Sequence, residues 1–199
     1  KVHIISDNEA NKSATLDIES SLIEYFVADG KFVLQNGNGG LQNHNYYDRE
    51  RYQAKFEVLW EKLRSMQLAQ KDLKEIRNSD LFKYSPYKTL TDDQYLVAKE
   101  IIDGVTRNEK ANFIIQGGPG TGKSIVATYL IKQLVDMGVN NVALVIAMTP
   151  LRNTFKKVFR GVPGLSANMV IGPSDAAKNK YDVVIVDETH RLRQRRNIP

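Results

Sequence analysis

"IIQGGPGTGKSIVATYL", running from Ile114 to Leu130, is the stretch on which the reading of this chain turns. An apolar run enters a glycine-rich turn, and a lysine and a serine leave it at the start of an amphipathic stretch. Gly117, Gly118, Pro119, Gly120, Thr121, Gly122, Lys123 and Ser124 fit G-x-x-x-x-G-K-[ST] in full. Glycine reaches cheaply the dihedrals that turn successive N–H groups inward toward phosphate oxygens. Lys123 adds a point charge for the β- and γ-phosphates, and Ser124 offers its hydroxyl to Mg²⁺. A helix is expected from Ser124 to about Met137, closed by Gly138, with its positive end aimed at the same anion. The stretch therefore predicts a site for ATP with Mg²⁺.

A nucleotide site needs a second group on the metal side, and "YDVVIVDETH" supplies one. Four apolar residues, Val183 to Val186, run into Asp187 at a strand end, where its carboxylate would hold the ion through water. Glu188 follows directly and is placed to polarise an attacking water. A phosphoryl transfer to a bound acceptor needs no such base, so the adjacent carboxylate points to hydrolysis, with Glu188 and Lys123 as the catalytic pair. His190 reads either as a packing histidine behind the site or as a coupling residue.

Gln94 carries two readings that do not exclude each other. "LTDDQ" sets it three residues after Thr91, which makes a capping box. A glutamine upstream of such a loop also reads the adenine edge in many helicase-like ATPases. Further on, "AMTPLRNTFKKVF" starts a helix at Thr149 with Pro150 in its first turn. Arg152, Lys156, Lys157 and Arg160 crowd the turns that follow. They form either a solvated basic face or a contact with a nucleic-acid backbone, with Thr149 at the junction. "RLRQRR" leaves the same choice open.

Charge supports a polyanionic partner without requiring one. Residues 1–80 carry 11 Lys/Arg and 13 Asp/Glu, and residues 81–199 carry 17 and 10, so the basic excess lies with the glycine-rich turn and beyond it. The 199 residues contain no cysteine, which excludes a disulfide framework and a thiolate metal site. No signal peptide and no stretch of membrane-spanning length is apparent, so a cytoplasmic protein without a membrane partner is expected. The chain opens on Lys1 and stops at Pro199 after an arginine run, and is expected to be a piece of a longer protein. Oligomeric state is not written in it.

Three parts are expected along the chain. Residues 1–40 read as a strand (Val2 to Ser6), a helix and an Asn/Gly-rich stretch, and residues 41–80 as a helical linker in which Phe56, Leu59, Trp60 and Leu63 keep helical spacing. In residues 81–199, Val97, Ala98, Ile101, Ile102 and Val105 mark a helix. "NFIIQ", "NVALVIAM" and "DVVIVD" read as buried parallel strands. Alternating strands and helices predict an α/β fold, a parallel sheet with helices on both faces.

Together "GGPGTGKS", "TPLRN", "VDETH" and the upstream glutamine resemble the superfamily 1 helicase-like ATPases. "YDVVIVDETHRLR" and "SPYKTLTDDQ" are most similar to the Schlafen-type DNA/RNA helicase domain of bacteria, over about residues 81–199. Thr189 stands where that family usually has alanine. The resemblance implies the first RecA-like lobe of a P-loop motor acting on DNA or RNA, expected to be single-stranded. It also implies a second lobe, after Pro199, that supplies an arginine to the γ-phosphate, so the chain in hand is expected to hydrolyse nucleotide poorly. Residues 1–40 resemble, over a shorter match, the end of a GIY-YIG nuclease domain. "LDIESSLIEYF" is similar to the helix that carries that family's metal-binding glutamate, here Glu19, and "FVLQN" to its closing strand, with Asn36 at the family's asparagine. The family's tyrosine motifs are absent, so this chain alone is not expected to cut nucleic acid. Beside the motor stands a reading of another class, a nucleotide-dependent switch that regulates partners without moving along a strand.

Overall fold

The structure is a computed structural model of the chain and describes residues 2–35, 49–88, 90–107 and 111–192. The first long helix, α1 (Lys12–Asp29), begins where the Asn11 side chain accepts a hydrogen bond from the Ala14 amide at 2.8 Å. It ends at Gly30, whose φ of 73° is left-handed and carries its N–H to the Phe26 carbonyl. Helices α2 (Arg49–Ser65), α3 (Leu73–Asn78) and α4 (Asp80–Lys83) follow. Asp72 caps α3 and Ser79 caps α4, each by accepting from an amide in the first turn.

These helices close a core of their own. Tyr25 and Ala28 of α1 meet Phe56, Trp60 and Leu63 of α2, together with Ala69 and Ile76. Trp60 is fully buried, and its indole donates to the Lys71 carbonyl at 3.1 Å, so the ring's one polar atom is satisfied. The Tyr25 ring centroid lies 4.9 Å from that of Phe56 and 5.5 Å from that of Trp60. Asp29, at the end of α1, is buried and accepts from the amides of Gln70 at 3.0 Å and Lys71 at 2.7 Å. A single carboxylate thus pins the α2–α3 loop to α1.

The second half is α/β. Helices α5 (Asp92–Thr106) and α6 (Lys123–Asp136) precede β1 (Val142–Ile146), α7 (Thr149–Arg160), β2 (Val170–Ile171), α8 (Pro173–Ala176) and β3 (Val183–Asp187). The strands are parallel in the order β2-β1-β3. Their register sets Ile146 opposite Asp187. The carboxyl ends of β1 and β3 are therefore level, and the segments leaving them share one edge of the sheet, where open α/β sheets bind ligands. Val142, Leu144 and Ile146 alternate onto one face and join a core with Ala127, Ile131 and Leu134 of α6 and Phe155, Val158 and Phe159 of α7. Ile23 and Val27 of α1 belong to the same core. So α1 is shared: 23 and 27, one turn apart, face the sheet's core, while 25 and 28 face the helical one. Packing thus crosses residue 40, where the sequence suggests a boundary.

Three expected strands are absent from the described residues. Residues 2–6 are not a strand, and Val2 and Ile4 lie almost wholly exposed. The part of "FVLQN" that is described, residues 32–35, is irregular, and Asn36 lies outside the described residues. "NFIIQ" forms no strand, and Ile114 is 86% exposed. An apolar run becomes a strand only when a neighbour completes its ladder, and no described residue does so for these. Phe113 packs instead on α5, where a Cβ added to Gly104 would lie 2.7 Å from its ring. The other two expected strands form as β1 and β3, and Gly138, with φ of 87°, ends α6.

Candidate functional site

The glycine-rich turn is a left-handed loop that delivers the chain into α6. Gly120 has φ of 77° and Gly122 of 79°. At Gly122 two demands coincide. Its φ is unfavourable for any residue with a Cβ, and a Cβ there would lie 2.5 Å from Nε2 of Gln94. The loop is exposed and largely satisfied from within. Thr121 Oγ1 donates to the Gly118 carbonyl at 2.9 Å, and Lys123 Nζ donates to the carbonyls of Gly117 and Gly118, both at 2.8 Å. No side chain caps α6, and the Ile125 amide in its first turn already donates to the Gly122 carbonyl at 2.9 Å, so an anion there would draw on the amides that precede it.

From that first turn, Ser124 reaches the end of β3. Its Oγ donates to Oδ2 of Asp187 at 2.7 Å, across 63 positions of sequence. Asp187 is buried, yet it ends a strand whose register places it at the sheet's carboxyl edge. The hydroxyl and the carboxylate form a pair of oxygen donors beside the glycine-rich loop, a set of the type that suits a hard divalent cation. Among the described residues no group of three His, Cys, Asp or Glu side chains could hold a metal. An ion held here would need oxygens from a ligand as well.

Glu188, next in the chain, adopts φ 56° and ψ 53°, a left-handed conformation rare for a glutamate. A short 3-10 turn, Thr189–Arg191, follows, and the Arg191 N–H returns to the Glu188 carbonyl at 2.9 Å. The Arg191 Nε donates to Glu188 Oε2, and His190 Nε2 lies 3.5 Å from the same oxygen. The Arg191 guanidinium holds the Glu188 carboxyl below the usual glutamate range, with smaller contributions from His190 and Lys123. This ion pair was not singled out from sequence, although the i, i+3 spacing of Glu188 and Arg191 is a signal that could have found it.

Gln94 does the local work expected of it and more. Thr91 accepts from its amide and its Oε1 accepts from the Thr91 amide, so the capping box is complete. Its Nε2 also donates to the Thr121 carbonyl at 2.8 Å, which ties the start of α5 to the glycine-rich loop. At the β1–α7 junction Thr149 is exposed and opens α7, with Pro150 in the first turn and no side-chain cap. Arg152 donates to the Ile146 carbonyl at 2.9 Å and to Thr149 Oγ1 at 3.0 Å, so its guanidinium braces the strand end. Lys156 is half-buried, and Lys157 and Arg160 are exposed. Glu19 is exposed on α1, away from this site. The arginines after Arg191 in "RLRQRR" lie outside the described residues.

The glycine-rich loop, Asp187 and Glu188 thus lie at the carboxyl edge of a three-stranded parallel sheet. The family model of the Schlafen group 3 DNA/RNA helicase domain matches residues 110–198. The match spans the loop, the β1–α7 junction and the β3 end, whereas Gln94 and the helices before it lie outside. Neither curated proteins nor solved structures give a match to the chain. No helix among the described residues is long and apolar enough to cross a membrane.

Proposed function

We propose that residues 81–199 form the first RecA-like lobe of an ATP-hydrolysing, helicase-like motor that acts on nucleic acid. The observation that carries this reading is the Ser124–Asp187 hydrogen bond, which joins the phosphate loop to the end of β3. In it the loop amides that precede α6 cradle the phosphates, with Lys123 released from the Gly117 and Gly118 carbonyls to neutralise them. Ser124 and Asp187 would hold Mg²⁺. Bound ATP–Mg²⁺ supplies the phosphoryl group that hydrolysis transfers to water. Glu188 accepts the proton of that water. Gln94, already fixed to Thr121, reads the adenine edge. Thr149, Lys156 and Lys157 face the strand's phosphates, with Arg152 shaping the junction.

The proposal leaves out the nuclease resemblance of residues 1–40, because the expected strands on either side of α1 are absent from the described residues. Two variants test the motor reading. Lys123→Ala should abolish ATP–Mg²⁺ binding by calorimetry with an unchanged circular dichroism spectrum. Glu188→Gln in the full-length chain should keep binding and lose hydrolysis, because the amide preserves shape but accepts no proton. Full binding in the first, or near-parental turnover in the second, refutes the assignment.

A further inference from the structure

Glu188 is the proposed base, yet its carboxylate is already engaged. The left-handed Glu188 and the tight turn after it fold Arg191 back over the residue three before it. One oxygen, Oε2, carries the Arg191 contact and faces His190 at 3.5 Å. A carboxylate held in this way is turned toward the guanidinium, so Arg191 sets the direction in which it points.

Arg191 also belongs to a second place. It lines a small crevice between the carboxyl ends of β1 and β3, together with Ile146, Ala147, Met148, Leu151, Asp187 and Glu188. Met148 and Leu151 flank the start of α7, where the nucleic-acid strand is read to pass. The other guanidinium at this junction, that of Arg152, is committed to Ile146 and Thr149. Arg191, by contrast, keeps about half of its side-chain surface exposed. It is therefore the described cation that touches Glu188 on one side and the β1–α7 junction on the other.

We propose that Arg191 is a positioning residue that withholds the Glu188 carboxylate until a nucleic-acid phosphate at the β1–α7 junction draws its guanidinium away. This rests on the reading of Glu188 as base and of Thr149 as the strand's point of contact. The exposure of the pair sets the scale. A half-exposed ion pair is weak enough for a phosphate to compete with, and its release is worth about two- to fivefold in rate.

The test measures phosphate release by the full-length chain, with and without a single-stranded oligonucleotide, for parent, Arg191→Ala, Arg191→Lys and Glu188→Gln. Arg191→Ala should raise the rate without oligonucleotide by about two- to fivefold. The KM for ATP should stay unchanged and the stimulation by oligonucleotide should shrink toward none. Arg191→Lys, which keeps the charge, should restore part of the stimulation. A lower rate in both conditions would make Arg191 a supporter of catalysis, and an unchanged pair of rates would make it a bystander. Either overturns the proposal. Persistent turnover in Glu188→Gln instead refutes the assignment of the base, a separate failure. A melting temperature shared with the parent shows that each variant is folded.

Discussion

Replacing Gly122 by alanine separates two constraints that meet at one backbone position. The first is conformational: at φ of 79°, a Cβ costs about 1–2 kcal/mol. The second is the 2.5 Å approach to Nε2 of Gln94. That side chain can swing aside, but it then loses its bond to the Thr121 carbonyl and strains its bond to the Thr91 amide. Hydrogen bonds of this kind contribute about 0.5–1.5 kcal/mol each. Gly122→Ala should therefore destabilise the chain by about 2–3 kcal/mol. Gly120 is an internal control. It has nearly the same φ, 77°, with nothing within 4 Å of an added Cβ, so Gly120→Ala should cost only the conformational part. Urea denaturation followed by circular dichroism gives both values, provided the slopes agree. The deciding measurement repeats Gly122→Ala in a Gln94→Ala background, where its cost should fall to that of Gly120→Ala. If Gly122→Ala costs the same with and without Gln94, the glutamine does not press on the loop and the reasoning fails.

Two further outcomes are expected. Glu24 lines a cavity of about 560 Å³ between α1 and α2, and burial pushes its carboxyl up from 4.5 to about 7, opposed by Lys88 at 3.5 Å. Between these values the unfolded chain sheds the proton first, so Glu24 makes stability fall as pH rises, by on the order of 3 kcal/mol in all. Glu24→Gln should flatten that slope in denaturation curves taken at pH 5 and pH 8, and a slope identical to the parent's would refute the assignment. Replacing Lys156 and Lys157 by alanine should weaken binding of labelled single strands equally for all sequences. It should also reduce the salt dependence of log K by roughly 0.7 for each lost phosphate contact. Superimposable salt plots for variant and parent would remove this face from the nucleic-acid surface.

What the sequence discloses follows from how local each signal is. The glycine-rich turn into α6 was legible because its left-handed positions fall on Gly120 and Gly122, directly before Lys123 and Ser124. The capping box was legible because Thr91 and Gln94 are neighbours. The partner of Gln94 on the loop, Thr121, was not, because 27 positions separate them. Apolar runs named β1 and β3 correctly, but gave the same signal at Val2 to Ser6 and at "NFIIQ", where no described strand completes a ladder. Hydrophobicity reports that a segment can be covered, not what covers it. The double role of α1 was hidden for the same reason. Ile23 and Val27 look like any apolar pair one turn apart, and only the folded chain shows that they face a different core from Tyr25 and Ala28.

That helix has a thermal and mechanical consequence. Two cores that merely abutted could melt in sequence, the weaker one first, leaving the other intact. Here the loss of α1 would strip Ile23 and Val27 from the sheet's core in the same event that strips Tyr25 and Ala28 from the helical core. The hinge that would let the front of the chain swing free is therefore missing at α1. Slow amide exchange in α1 should therefore track that of β1, whose Val142, Leu144 and Ile146 share its sheet-side core.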